Sequence, residues 1–358
     1  MSIVETFVQT VLSLFWNRDQ RRLRTLWRLI GQGLLFGTFL IPLGGSLGLV
    51  MAGVTLAQGG NRIPAERTAE LVTSLLTNWP LVSAAFTLIS LVAMVASVWL
   101  AGRLLDRRPF ADFGFHLSPA WWRDLGFGLA LGAALMALIF LVEFSAGWLA
   151  VSDVFVAPAG GPPFALAIFF PLVQFVSVGI YEELFSRGYH LKNLAEGLNF
   201  RPLGPKGAVV AAMLLSSAIF GLLHVGNPNA SPVSTFNIFL AGIFLAMGYV
   251  LTGELAIPIG VHIGWNFFQG NVFGFPVSGG DFSAVTFISI RQLGPPAMTG
   301  GAFGPEAGML GLAALVIGSV LIVLWVQVTH GRAGFYEALA EPPSLPVAER
   351  EAGPVVTE

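Results

Sequence analysis

The sequence predicts an all-α protein: a polytopic membrane helical bundle of about eight transmembrane helices. Of its 358 residues, 55% are hydrophobic and only 11% are charged, whereas soluble globular domains carry about a quarter charged residues. The mean hydropathy is +0.76. Long uncharged runs recur along the chain, which is typical of segments that lie in lipid. Such a composition cannot cover a water-facing surface with polar groups.

Eight apolar segments are each near the ~20 residues that a helix needs to cross a bilayer. They cover roughly residues 29–56, 80–102, 125–149, 164–189, 207–224, 235–256, 258–276 and 307–329. With these spans, 15 of the 18 Lys and Arg residues fall on one side and 3 on the other. Basic residues concentrate in cytoplasmic loops, so the split predicts that both termini are cytoplasmic.

The same pattern divides the chain into five parts. An amphipathic, basic cytoplasmic segment comes first, with apolar residues at the spacing of a helix that lies on the membrane. The last part is rich in Pro, Ala and Glu, and we predict that it is disordered. The parts are 1–28, 29–120 with the first two spans and their cytoplasmic loop, a core at 121–276, 277–330 with an external loop and the last span, and the tail 331–358.

Bulk composition also excludes several classes of function. The net charge is −2, so it indicates no nucleic-acid partner. The chain has no cysteine, which excludes disulfides, thiolate metal ligands and a cysteine nucleophile.

Two adjacent acids end the fourth span. An acidic side chain within a span costs about 2.5 to 3.5 kcal/mol on insertion scales, so such residues are candidates for function. Glu183 and Arg187 are four residues apart, which favours an ion pair on one helix face. Glu182 points about 100° away and is free to face a cavity as a general base. The alternative is a structural salt-bridge cluster at a helix end.

Two further spans present polar side chains in the same spacing. His224 ends the fifth span, four residues after Phe220, and an uncharged segment with two prolines follows. Irregular backbone at membrane depth is tolerated only against protein or a water-filled cavity. His262 and Asn266 share one face of the seventh span, where the alternative is a polar pair that packs helices. Helix packing is the interpretation we favour for Glu143 in the third span.

Together the three elements resemble the motifs of a known family, the CPBP intramembrane proteases. This family includes type-II CAAX prenyl endopeptidases and bacterial proteins linked to bacteriocin processing or immunity. The resemblance covers roughly residues 120–275. The matching elements, in family order, are Glu182-Glu183-x-x-x-Arg187, Phe220-x-x-x-His224 and His262-x-x-x-Asn266.

The resemblance implies an intramembrane endopeptidase of the bacterial cytoplasmic membrane. Glu182 would activate water and His224 would help to hold that water. His262 and Asn266 would contact the oxyanion of the tetrahedral intermediate. The substrate would be a membrane-associated peptide or lipidated protein, with a prenylated CAAX-like protein as one option, and the lipid bilayer would be the other partner.

The Glu183–Arg187 pair would support this site, and the role of a metal is left open. His224 and His262 with a carboxylate would make a catalytic zinc set, yet a metal-free glutamate mechanism fits the same residues. Non-catalytic alternatives are a transporter, or an immunity-type binder that keeps the constellation.

The single-site hypothesis predicts that Glu182, His224, His262 and Asn266 converge on one cavity. However, counting residues along the spans places these side chains at different depths in the membrane. Glu182 and His262 lie near the cytoplasmic face by counting, whereas His224 is about 26 Å into its span. Either the fifth span begins outside the bilayer or the loop after His224 dips inwards.

Overall fold

The computed structural model describes residues 3–57 and 80–343. Within these residues, the regular secondary structure consists of helices and two short pairs of strands. The helices are α1 Ile3–Phe15, α2 Thr25–Ala57, α3 Pro80–Ala101, α4 Pro119–Ser145, α5 Phe164–Ala167, α6 Phe169–Glu183, α7 Lys192–Leu198, α8 Gly204–Leu223, α9 Pro232–Thr252, α10 Ala256–Phe267, α11 Pro296–Thr299 and α12 Met309–His330. Strand β1 (Trp16–Asn17) pairs with β2 (Arg22–Leu23), and β3 (Leu149–Val156) pairs with β4 (Thr286–Gln292). Turns of π-helix, Gly102–Asp106, Leu184–Leu191 and Phe268–Val272, extend α3, join α6 to α7 and extend α10.

The predicted fold class, a polytopic helical bundle, is confirmed. Within the described residues, seven helical segments are long and apolar enough to cross a membrane. The remaining predicted span, 258–276, corresponds to α10 and its π-helical extension. That helix is short, and residues 256–265 are all buried. It therefore lies inside the bundle, surrounded by the other helices.

Helix α10 packs against α4 through glycines. A Cβ atom on Gly132 would lie 2.5 Å from the carbonyl oxygen of Val261, closer than any carbon can approach. Small residues let two helix backbones come this close in a membrane bundle. The close approach holds His262, the residue after Val261, in register with α4. The facing residues are Gly128 and Gly132 on α4 and Gly260 and Gly264 on α10.

A buried cluster of ion pairs joins several segments at one end of the bundle. Arg28 Nη1 lies 2.7 Å from Asp106 Oδ1 and 3.1 Å from Glu196 Oε2. Arg22 also binds Glu196, at 2.7 Å, and Arg108 pairs with the same carboxylate. These residues come from three segments: the one before the first span, the one between the second and third spans, and the one between the fourth and fifth spans. The basic residues of all three segments were counted on the same side of the membrane, and the three segments meet at one end of the bundle. That this end faces the cytoplasm stays a prediction.

The amphipathic helix predicted in segment 1–28 forms as α1. Phe7, Leu12 and Leu14 on it are exposed. Large exposed apolar side chains on a short terminal helix suit a position in the membrane interface.

Part of the predicted disordered tail is ordered, so the boundary at residue 331 is corrected. Residues Glu337–Ala340 form a 3₁₀ turn in which Leu339 and Ala340 are buried. Asn199 Nδ2 donates to the carbonyl oxygen of Ala340 at 3.0 Å. These apolar side chains pack against the end of the bundle, which outweighs the polar composition around them. Residues 344–358 of the predicted tail lie outside the described residues.

Candidate active site

A cavity of about 670 Å³ lies within the bundle. Glu182, His224, His262 and Asn266 all line it. Most of its wall is apolar, including Phe36, Met94, Phe185, Phe244, Leu245 and Leu315. Glu182 on α6, His224 directly after α8, and His262 and Asn266 on α10 thus share one cavity, although their catalytic roles stay predictions.

The length of the fourth span removes the conflict of depth. The helix does not end near 189 but continues through the π-helical turn and α7 to Leu198. Glu182 therefore lies roughly 24 Å from that end, and His224 lies roughly 30 Å from Gly204, where α8 begins. Because only residues 199–203 connect α7 to α8, the two side chains are at similar depth.

His262 reaches the same depth because α10 starts well inside the bundle. Leu255, just before α10, packs beside Gly188 in the π-helical turn. A Cβ atom on Gly179 of α6 would lie 3.3 Å from the backbone nitrogen of Ile263. His262 is therefore level with the last turn of α6, which carries Glu182.

Glu183 forms the centre of a buried polar network. Its Oε1 atom lies 2.9 Å from Arg187 Nη1 and 2.8 Å from His262 Nδ1. Arg187 also donates to the carbonyl oxygen of Gly242 at 2.9 Å and lies 4.5 Å from the centre of the Phe220 ring. Both charged side chains are fully buried. The ion pair matches the predicted spacing, and the contact with His262 was not predicted from the sequence.

Hydrogen bonds to Nδ1 orient both imidazole rings. His262 Nδ1 donates to the Glu183 carboxylate, and its Nε2 atom lies 3.9 Å from Glu182 Oε2. His224 Nδ1 donates to the carbonyl oxygen of Phe220 at 2.7 Å. A proton held on Nδ1 leaves Nε2 of each ring as the nitrogen that can interact with a substrate or water.

Two neighbours of the predicted residues were missed. Tyr181 Oη donates to Glu182 Oε1 at 3.4 Å, so the two oxygens of Glu182 have different surroundings. The second is Glu306, a carboxyl group that lines the same cavity from the loop before α12. An acid in a loop rich in Gly and Pro carries no sequence signal of burial, because loops are normally solvated.

The described residues form no group of three or more His, Cys, Asp or Glu side chains arranged to hold a metal. His224 and His262 share the cavity, but no third ligand joins them in such a group, and a catalytic zinc site uses three protein ligands. The residues therefore do not fit a zinc ion as they stand. Zinc binding by the two histidines stays a prediction.

Glu143 does not contribute to the cavity. It is fully buried, and Gln292 Nε2 donates to its Oε2 atom at 2.7 Å. The contact ties α4 to β4, which supports a packing role.

Comparison with known proteins agrees with this geometry. Residues 164–268 match a family model described as type II CAAX prenyl endopeptidase Rce1-like. The assignment to the CPBP family is confirmed over this segment. The CPBP segment contains Glu182, His224, His262 and Asn266. The matched family is one of proteases.

A curated relative extends the similarity without adding an activity. The "Uncharacterized protein YyaK" of Bacillus subtilis (strain 168) is 26% identical over 196 residues, which is 53% of this chain and 60% of the relative. The chain thus matches less than two thirds of that relative's length. No solved structure matches the chain.

Proposed function

We propose that the protein is an intramembrane endopeptidase in which Glu182 activates water for attack on a peptide bond. The observation that carries this proposal is the pair of Glu182 Oε2 and His262 Nε2, 3.9 Å apart in a cavity within a protease-type core. A water molecule can lie about 2.8 Å from both atoms. General bases act within this distance of the proton that they remove.

Each step of hydrolysis has a residue to perform it. Glu182 takes a proton from water while the water oxygen bonds to the carbonyl carbon, and the carbonyl oxygen becomes an oxyanion. Asn266 donates an amide N–H to that oxyanion, and His262, when protonated on both nitrogens, donates its Nε2–H. The proton on Glu182 then passes to the leaving nitrogen as the C–N bond breaks.

Glu183 and Arg187 act as positioning residues. The Glu183 carboxylate holds Nδ1 of His262, which directs Nε2 towards Glu182, and its charge stabilises the imidazolium. Arg187 in turn forms an ion pair with Glu183 and holds that carboxylate in place.

The cavity favours a lipidated substrate. Its volume of about 670 Å³ lies within the range of sites that enclose small ligands, about 300 to 1,000 Å³. Its largely apolar wall suits an isoprenoid chain, and we infer that a prenylated, CAAX-like protein is the substrate. The other lining groups hold the peptide beside Glu182.

Cleavage of farnesylated and unmodified fluorogenic peptides by the purified protein tests the proposal. Glu182→Gln should reduce the rate by at least ~10²-fold, because it removes the base and keeps the size of the side chain. Glu143→Gln, which changes a buried carboxyl group outside the cavity, is the matched control and should retain cleavage. A folded Glu182→Gln protein with full activity would defeat the proposal. Activity lost with a chelator and restored by Zn²⁺ would establish a metal role; an unchanged rate would support metal-free water.

A further inference from the structure

The cavity contains a second carboxyl group that the proposed chemistry does not use. Glu306 lies in the 3₁₀ turn Pro305–Ala307, just before α12, and is 8% exposed. It lines the same cavity as Glu182. It belongs to a part of the chain beyond residues 164–268, the segment that matches the protease family.

Three hydrogen-bond donors surround this carboxyl group. Its Oε1 atom accepts from the backbone nitrogen of Ser278 at 3.1 Å and lies 3.4 Å from the Ser278 hydroxyl. Its Oε2 atom accepts from Gln269 Nε2 at 2.6 Å. Because an ionised carboxylate only accepts hydrogen bonds, a shell of donors is suited to the charged form.

Among the described residues, no basic side chain forms an ion pair with this carboxyl group. Four other buried carboxylates in the described residues lie beside basic side chains, and the exceptions are Glu143 and Glu306. Of these two, only Glu306 lines the cavity. A buried charge without a partner is costly, so the absence of a cation at a substrate cavity calls for a ligand that supplies one. The four carboxylates and their basic neighbours are Asp106 with Arg28, Asp124 with Arg123, Glu183 with Arg187, and Glu196 with Arg22, Arg28 and Arg108.

The position of Glu306 relative to the reacting groups follows from helix geometry. Its partner Gln269 follows Asn266 by about one turn and His262 by about two turns on the same helix. Seven residues correspond to about 10 Å along a helix axis. An extended peptide advances about 3.3 Å per residue, so this distance spans about three residues of substrate.

We propose that Glu306 is a specificity-determining residue that binds a Lys or Arg side chain of the substrate, about three residues from the scissile bond. The ammonium or guanidinium group would supply Glu306 with the cation that the described residues do not provide. Ser278 and Gln269 would keep the carboxylate directed into the cavity. This inference rests on the proposed peptidase function.

The preference for a cationic substrate side chain should depend on pH. Burial raises the pKa of Glu306 to about 7, although its hydrogen bonds act to lower it. A preference for cationic substrates should therefore be present above pH 7 and be lost below it. The described helices packed against the turn present no charged side chain to Glu306. Asp281, in the loop after α10, and Arg291, in β4, are both exposed. The other titratable groups on the cavity are Glu182, His224 and His262.

Because these groups affect every peptide alike, the experiment compares peptides that differ in one charge. Farnesylated peptides with a photoreactive group would carry Lys or norleucine at single positions within four residues of the centre. Apparent Kd values would be measured by cross-linking competition with the full-length wild type, Glu306→Gln and the control Glu143→Gln at pH 8 and pH 5.5. Binding is read without cleavage, so a failure of hydrolysis would count against the proposed function alone.

At one position we expect wild type to prefer Lys at pH 8 by at least ~10-fold, the lower range for a charge-assisted hydrogen bond. This preference should fall to about twofold or less in Glu306→Gln and at pH 5.5, and Glu143→Gln should retain it. Glu306→Asp, which keeps the charge, should retain part of it. Equal weakening of Lys and norleucine peptides by Glu306→Gln, or no Lys preference at any position in wild type, would overturn the inference.

Discussion

The buried pair of Glu183 and Arg187 allows a quantitative test of the network that positions His262. Glu183→Gln keeps the size of the side chain and an oxygen that can accept from both partners, but it removes the negative charge. Arg187 is then a buried cation without a counter-ion. Removing one partner of a buried ion pair costs about 3 to 5 kcal/mol, and we expect this loss of unfolding free energy.

A second substitution separates charge from packing. The double variant Glu183→Gln/Arg187→Gln removes both charges, and replacing a whole buried pair is often neutral. Arg187 also donates to the carbonyl oxygen of Gly242 and packs on Phe220. Because both charges are removed, we expect the double variant to recover most of the unfolding free energy. Because the contacts of Arg187 are also lost, we expect it to remain about 1 kcal/mol below wild type.

The measurement is the free energy of unfolding, in mixed micelles, of wild type, Glu183→Gln, Arg187→Gln and the double variant, with peptide cleavage measured in parallel. Cleavage should stay low in the double variant even where stability returns, because His262 no longer faces a carboxylate. A Glu183→Gln protein that loses less than about 1 kcal/mol would refute the ion-pair argument. So would a double variant whose loss equals the sum of the two single losses, since independent sites add.

Two further predictions concern helix packing and pH. Gly132→Ala places a Cβ atom 2.5 Å from the carbonyl oxygen of Val261, so we expect a loss of roughly 1 to 3 kcal/mol in unfolding free energy. The control Gly126→Ala, on the same helix, meets open space and should be neutral. Equal stability of the two variants would contradict this prediction. The pKa of Glu306 rises from 4.5 to about 7 on folding, so its contribution, roughly 3 kcal/mol, is complete below pH 4.5 and is lost as pH rises through about 7. Unfolding titrations of wild type and Glu306→Gln should therefore diverge between pH 5 and pH 8, with wild type losing the extra stability; parallel pH profiles would be evidence against the raised pKa.

Local features of the site could be predicted from the sequence because helix periodicity determines them. The Glu183–Arg187 contact joins residues four apart on one helix, and Asn266 lines the same cavity as His262. Hydropathy likewise predicted the spans, because apolar length is a property of a single segment. The contact between Glu183 and His262 joins residues 79 positions apart, and no local pattern specifies it.

The end of the fourth span was wrong for a related physical reason. Arg187, Lys192 and Glu196 look like a solvated loop when each charge is considered alone. In the structure all three are buried in a continuous helix, and Arg187 and Glu196 form ion pairs. Charge marks the limit of a span only where the partner is water. A partner supplied by another segment allows the helix to continue, which brings Glu182 to the depth of His224.

The loop that follows α10 contacts the segment after His224. Asn227, three residues after His224, donates to the carbonyl oxygen of Ser278 at 2.9 Å, and the backbone of Ser278 binds Glu306. The segment after the α8 histidine and the loop outside the family segment therefore form one wall of the cavity. In the proposed enzyme, the family segment supplies the reacting groups. The wall presents the Glu306 carboxylate, which forms no ion pair within the part of the chain that the structure describes. Changes in the loop can then alter which substrate side chain is accepted without moving Glu182 or His262. Substitution of Glu306 tests whether substrate preference can change independently of the reacting groups.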